Sequence, residues 1–143
     1  MVNNNLRILV YGACTTTVRA KDGRTIITNG PVYDLAVSQS LLKVHGLRVL
    51  NDKADFDMDL DFTPALTDEE LVDFICALSD ADYEKSERSA TSVKKTVDCD
   101  GYAMHWNRLR KCRWAHGLKI YVKFGFFENN PRCLVVSIHP ARY

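Results

Sequence analysis

Leu118-Lys119-Ile120-Tyr121-Val122-Lys123-Phe124-Gly125-Phe126-Phe127 places apolar residues at every second position. A period of two is the mark of a strand with one face buried. Glu128-Asn129-Asn130-Pro131 then reads as a turn. Residues 132–139 return, with Leu134, Val136 and Ile138 on one parity and Val135, Ser137 and His139 on the other. The chain is thus expected to end in an antiparallel hairpin. If the apolar parity of both strands packs on helices, Tyr121, Lys123, Ser137 and His139 share the opposite face. A phenol, an ammonium, a hydroxyl and an imidazole on one surface suit phosphate binding and proton transfer. An ordinary solvated sheet face carries the same pattern.

Working back from the hairpin, residues 102–114 read as another strand. Upstream, Thr67-Asp68-Glu69-Glu70 has the form of a capping box, with the Thr67 hydroxyl on the N3 amide and Glu70 reaching back. Leu71, Phe74, Ile75 and Leu78 follow at i, i+3, i+4 and i+7, one apolar helical stripe. Ser79-Asp80-Ala81-Asp82 repeats the capping pattern and predicts a short helix through about Lys85. Residues 86–95 are polar without periodicity and read as a loop. Asp34 is placed to cap a helix running to about His45, with Gly46 at its C-terminal stop. Residues 47–50 are ambiguous. Residues 54–62 alternate Asp with Phe, Met and Leu, and the aspartates make them a loop or a short irregular element rather than a strand. At the start, residues 6–13 and 15–19 read as a strand, Lys21-Asp22-Gly23 as a turn and 24–28 as its return. The expectation is an α+β fold: a C-terminal antiparallel β-sheet packed on two or three helices, with an extra N-terminal β-hairpin.

At 143 residues the chain is expected to form a single domain, with 1–29 as the hairpin extension and 30–143 as the core. Hydrophobic residues at 46% and charged residues at 26% match a globular protein and argue against overall disorder. No run approaches the roughly 20 apolar residues of a membrane span. Met1-Val2-Asn3-Asn4-Asn5 does not open like a secretory signal, so a cytoplasmic protein away from membranes is expected. Cys14, Cys76, Cys99, Cys112 and Cys133 are scattered, with no Cys-x-x-Cys pair. Neither a disulfide framework, a metal site nor a cofactor is expected from them. Charge is zoned: residues 31–83 hold three Lys/Arg against twelve Asp/Glu, and residues 84–143 twelve against five. The basic C-terminal half can meet a polyanion or neutralise the acidic half within the fold. Arg108, Arg110, Lys111 and Arg113, interleaved with Trp106 and Trp114, are the leading nucleic-acid-binding cluster.

The order of these features carries a resemblance. Pro31-Val32-Tyr33-Asp34-Leu35 opens a helix, and a second helix leads into Ala77-Leu78-Ser79-Asp80-Ala81-Asp82-Tyr83-Glu84-Lys85-Ser86. A basic, Trp-containing strand and a hairpin ending Val135-Val136-Ser137-Ile138 follow. Over about residues 31–143 this resembles the MqsR family of toxin–antitoxin toxins, small RelE-like endoribonucleases with a Leu-Ser-x-x-Asp-Phe-Tyr-Lys-Ser segment and a final Val-Ser-Phe-Lys strand. The resemblance implies a RelE-like core, single-stranded mRNA as substrate and a cognate antitoxin protein as partner. It places Lys85 on the family's segment lysine, Tyr121 and Lys123 on a tyrosine and a lysine of the penultimate strand, and Asn107 near a Gln that follows a Trp. His139 stands where the family has its final lysine. Asn for Gln and His for Lys are departures, residues 1–29 have no counterpart, and the acidic stretch 54–62 is unlike the usual second helix.

Those residues suit metal-independent RNA cleavage by 2′-OH attack. A base must activate the 2′-OH, cations must neutralise the phosphorane-like transition state, and an acid must protonate the leaving 5′-oxygen. Histidine ordinarily titrates near neutrality, so His139 suits base or acid. Lys85 and Lys123 supply positive charge, Tyr121 a donor or stacking surface, and Asn107 a neutral group that orients the 2′-OH. His105 and His116 are rivals to His139: His116, next to Gly117, reads as a turn residue, whereas His105, beside Trp106, is placed to line the site. The expected activity is growth arrest by an mRNA endoribonuclease. The rival expectation is a non-catalytic binding protein on the same scaffold, such as an inhibitor of a host or phage nucleic-acid machine.

Overall fold

The structure, a computed structural model, describes residues 16–50, 58, 61–91 and 93–141. The C-terminal hairpin forms as expected, from β7 (Leu118–Gly125) and β8 (Cys133–Pro140). Around it the described residues build one mixed sheet. Its other strands are β1 (Thr17–Arg19), β2 (Thr25–Ile27), β3 (Leu47–Val49), β4 (Tyr83–Ala90), β5 (Thr96–Asn107) and β6 (Cys112–Arg113). The order is β1-β2-β4-β5-β7-β8-β3, with β6 beside the far end of β5. Every pairing is antiparallel except β3, which runs parallel to β8. The hairpin of β1 and β2 extends the main sheet by joining β4. Residues 6–13, most of 54–62 and residues 142–143 lie outside the described residues.

Two helices form where their caps and stripes put them. In α1 (Leu35–His45) the Asp34 side chain accepts from the Val37 N–H at 3.0 Å. Gly46 ends it with a φ of 74°, a left-handed geometry that favours glycine. In α2 (Asp68–Ala77) Thr67 Oγ1 accepts from the Glu70 N–H at 3.2 Å. Glu70 does not complete the expected box; its carboxylate turns to Arg108, with bonds of 2.7 and 2.8 Å. A bidentate guanidinium is a stronger partner than one backbone amide. Leu71, Phe74 and Ile75 are fully buried, each contributing about 1.5–3 kcal/mol of apolar burial. Phe74 meets Trp106 edge to face at 5.4 Å. The helices share a core with Ile120, Val122 and Phe124 of β7 and with Cys133, Val135 and Ile138 of β8. Met58 and Phe62 are buried there too.

Three expectations are corrected. The helix from Ser79 stops as one 3-10 turn, Asp80–Asp82. Asp82 Oδ2 accepts from the Ser79 N–H at 2.8 Å, which closes the turn at once. Lys85 therefore lies on a strand. Residues 83–90, expected as the end of a helix and the start of a loop, are β4. Its sequence lacks apolar alternation because polar pairs hold it to β5: Ser86 faces Asp100, and Arg88 faces Asp98 with an ion pair of 2.7 Å. Finally, a register shift beside Lys123 and Phe124 breaks the parity of β8. Ile138 opposes Val122, but Val135 opposes Phe124, so Leu134 and Val136 turn to the second face. There they bury with Leu50, Val97 and Cys99 as a smaller apolar cluster.

Asp100 ties the chain ahead of α1 to the sheet. Its carboxylate accepts from the N–H of Val32 at 2.8 Å, the N–H of Tyr33 at 2.9 Å and Ser86 Oγ at 2.5 Å. Substituting Asp100→Ala leaves three buried donors without their acceptor. We expect a loss of about 3 kcal/mol or more in urea unfolding, with a smaller loss for Asp100→Asn. A midpoint unchanged in both variants contradicts this role.

Candidate functional site

The second face of the sheet gathers four of the five residues expected to be catalytic, Lys85, Tyr121, Lys123 and His139. Across β7, Tyr121 opposes Ala103 and His139, and Lys123 opposes Gly101 and Ser137. On β4, Lys85 opposes Gly101. The Tyr121 and His139 rings stack at 5.2 Å, 27° from parallel. The Lys85 Nζ lies 5.7 Å from the Tyr121 ring centroid, within cation–π reach. Gly101 makes this cluster possible, since a Cβ there would strike the Tyr121 hydroxyl. A glycine in mid-strand is the sequence signal for such a close approach.

The chemistry of each group follows from its surroundings. The Tyr121 hydroxyl is buried without a hydrogen-bond partner among the described residues. Burial, then the charges of Glu87 and Glu84, hold it well above the ordinary phenol range. It is a neutral donor near pH 7, unable to act as a base. His139 Nδ1 lies 2.8 Å from the Pro140 carbonyl oxygen. A carbonyl only accepts, so Nδ1 carries the proton and Nε2 of the neutral ring is the acceptor. Lys123 is not a free cation. Its ammonium is 2.6 Å from Glu87, whose other oxygen lies 3.3 Å from Arg24. Both members of the Lys123–Glu87 pair are largely buried, so removing either strands a charge.

The basic cluster is divided. Arg108 is held by Glu70 and by the carbonyls of Pro64 and Ala65, tying the β5–β6 turn to the start of α2. Arg113 is held by Asp82, at 2.8 and 2.5 Å. Trp106 is a core residue, 1% exposed, and has no face free for a base. Asn107 Oδ1 accepts from the Arg110 N–H at 2.9 Å, capping the same turn. Arg110 and Lys111 are exposed there, with Leu109 and Trp114 beside them.

A cleft of about 410 Å³, which residue spacing does not announce, lies beside β5 between the start of β4 and β6. Tyr83, Glu84, Ala103, His105, Arg113 and Lys119 line it. It adjoins the cluster through Ala103, the strand partner of Tyr121. The cleft exists because β4 shifts register between Tyr83 and Lys85 and because β6 is short. No sequence period signals either feature. Among the described residues no group of three or more His, Cys, Asp and Glu is placed to hold a metal ion. Cys76, Cys99, Cys112 and Cys133 are free thiols, and burial pushes Cys99 up to about 12. No described helix is long and apolar enough to cross a membrane. No protein-family model, curated protein or solved structure matches the chain.

Two outcomes test this geometry. Gly101→Ala pushes the Tyr121 ring off its seat, so the ring-current shifts of His139 in the NMR spectrum change while the protein stays folded. At the cleft wall, burial raises the Asp82 carboxyl, but Arg113 and Ser79 outweigh it and hold the group below the usual range. A folded-state value below the unfolded one gives stability that is present above the unfolded value and lost as pH falls through the folded one. In Arg113→Gln the Asp82 titration midpoint, followed by NMR, therefore moves up, and this part of the acid sensitivity disappears.

Proposed function

We propose that the protein is a metal-independent endoribonuclease of the MqsR-like, RelE-like kind. In this reading it cleaves single-stranded mRNA in the cytoplasm, arrests growth, and is neutralised by a cognate antitoxin. The observation that carries the reading is the convergence of Lys85, Tyr121 and His139 on one sheet face. A cation and an imidazole are groups that 2′-OH attack on a phosphodiester uses. Lys85 stabilises the charge that develops on the phosphate. The buried Tyr121 ring, stacked on His139 and within cation–π reach of the Lys85 ammonium, holds these two groups side by side. His139 transfers a proton. Arg110, Lys111 and the exposed Trp114 lie at one end of the face and suit contact with the strand on either side.

A second reading has its own support. Arg108, Arg113 and Lys123 spend their charge inside the fold, and Leu109 is 93% exposed at the tip of the β5–β6 turn. A lean set of free cations beside an apolar tip suits a protein partner, as in a non-catalytic inhibitor of a nucleic-acid machine.

Incubation with long single-stranded RNA in EDTA separates the two. The ribonuclease reading expects discrete fragments ending in 2′,3′-cyclic phosphate. Lys85→Ala and His139→Ala should each lower the rate by about 100-fold or more. Asn107→Ala should stay within a few-fold of wild type, because its side chain is turned to Arg110. Intact RNA from the folded wild-type protein would reject catalysis and favour the binding reading.

A further inference from the structure

Beside the Lys85–Tyr121–His139 cluster the sheet holds a second imidazole in a defined setting. His105 lies on β5 opposite Lys119 of β7. Its Nδ1 is 2.9 Å from the Gly117 carbonyl oxygen. The carbonyl can only accept, so Nδ1–H donates and Nε2 of the neutral ring is left as a proton acceptor. An imidazole oriented through one nitrogen, with the other available, is the arrangement of a general base. His105 is half-buried and lines the cleft of about 410 Å³. The charged and titratable groups around it come from each neighbouring element: Glu84 and Tyr83 from β4, Asp82 from the 3-10 turn, Arg113 from β6 and Lys119 from β7. Asp82 and Arg113 neutralise each other. Lys119 has no ion pair among the described residues, so its charge is available to a ligand.

The position relative to His139 matters. His105 and His139 are two strands and two residues apart in the ladder. That spacing corresponds to about 12 Å between their backbones. One phosphodiester linkage meets both imidazoles when it lies over Ala103, between the His105 rung and the rung where Tyr121 and His139 stack.

We infer that His105 is the base that takes the ribose 2′-OH proton, and that the cleft holds the nucleotide carrying that hydroxyl. The inference rests on the ribonuclease reading and assigns its two proton transfers to different histidines. His105 Nε2 accepts the 2′-OH proton, and the 2′-oxygen forms a bond to phosphorus. The bond from phosphorus to the 5′-oxygen breaks, and that oxygen leaves with a proton from His139. The products are a 2′,3′-cyclic phosphate and a 5′-hydroxyl. The histidines finish with exchanged protonation states, which solvent resets. Lys119 and Lys85 flank the phosphate with positive charge.

The test compares two amides in the full chain. His105→Asn keeps an N–H at the Nδ1 position for the Gly117 carbonyl but has no Nε2. His105→Gln places its amide further out and gives up that bond. Rates on a single-stranded RNA oligonucleotide in EDTA are measured from about pH 5 to pH 9, the range over which an imidazole base gains and loses its proton. The expected result is that His105→Asn keeps the wild-type melting temperature. It loses about 100-fold or more in kcat and loses the acidic limb of the profile. If His105→Asn cleaves within a few-fold of wild type with the same profile, His105 only supports the Gly117 turn, and the inference fails while the ribonuclease reading stands. If the wild type leaves RNA intact, both fail. Wild-type protein gives an independent measurement should the variant not fold: an oligonucleotide with 2′-deoxy sugars, which cannot be cleaved, should shift the His105 ring resonances on binding. Unmoved resonances at saturation overturn the inference.

Discussion

The carboxylate of Asp100 is the point on which the two layers of this protein are joined. It sits on β5 in the middle of the sheet, fully buried, and accepts from the Val32 and Tyr33 amides just ahead of α1. Ser86 of β4 donates to the same group and shares a bond of 2.7 Å with the Tyr83 hydroxyl. Burial pushes Asp100 above the usual carboxylate range, against the pull of its donors. A group this costly to bury is tolerated where backbone amides have no other acceptor. Its partners set where the chain enters α1 and hold β4 against β5. Tyr33, placed by the same contact, donates its hydroxyl to the Asp98 carbonyl and accepts from the Phe126 N–H. The entry to α1 is thereby fixed to both sides of the central strand pair.

That arrangement also explains what was legible beforehand. The α1 and α2 helices were readable because Asp34 and Thr67 cap them, Gly46 stops α1, and Leu71, Phe74 and Ile75 repeat with the helical period. The hairpin of β7 and β8 was readable because Leu118 to Phe126 alternate. β4 was not, because its stability lies in cross-strand polar pairs that have no local signature. Ser86 and Arg88 look like loop residues until Asp100 and Asp98 stand opposite them. The shift in β8 was equally silent. Leu134 and Val136 keep strict alternation with Ile138 in the sequence, and only the register against Lys123 and Phe124 separates their faces.

For the candidate site, side-chain type and strand parity located Tyr121 and His139 together, and the neighbouring Lys85 joined them although its strand was unforeseen. Parity could not reveal which charges remain available. Lys123 shares the correct face yet belongs to Glu87, and Arg108 and Arg113 lie in a basic run yet hold acidic residues far away in the sequence. The zoned charge of the chain is in part an account of these bonds: the acidic stretch supplies Glu70 and Asp82, and the basic half supplies their guanidinium partners. Among the basic residues named for the candidate site and cleft, Lys85, Arg110, Lys111 and Lys119 are the ones without such a partner among the described residues.

The same sorting gives the second face two distinct parts. Near β3, Leu50, Leu134 and Val136 bury with Val97 and Cys99. Towards β6 the surface is polar, and the sheet is interrupted where β4 shifts register and β6 replaces it beside β5. A continuous ladder would fill the space beside Ala103 and His105 with a neighbouring strand. The interruption leaves a cleft floored by the rigid central strand, and residues on such a strand keep their positions when a ligand binds. Gly101 then lets the Tyr121 ring lie flat against that strand, with its hydroxyl left unpaired. An unpaired buried hydroxyl costs about 1–3 kcal/mol. The Nε1–H of Trp106, deep in the core, is left unpaired in the same way among the described residues. The defects in the sheet thus open a surface at Ala103 and His105, next to the rung where Tyr121 and His139 stack, and a regular ladder of the same strands would have closed it.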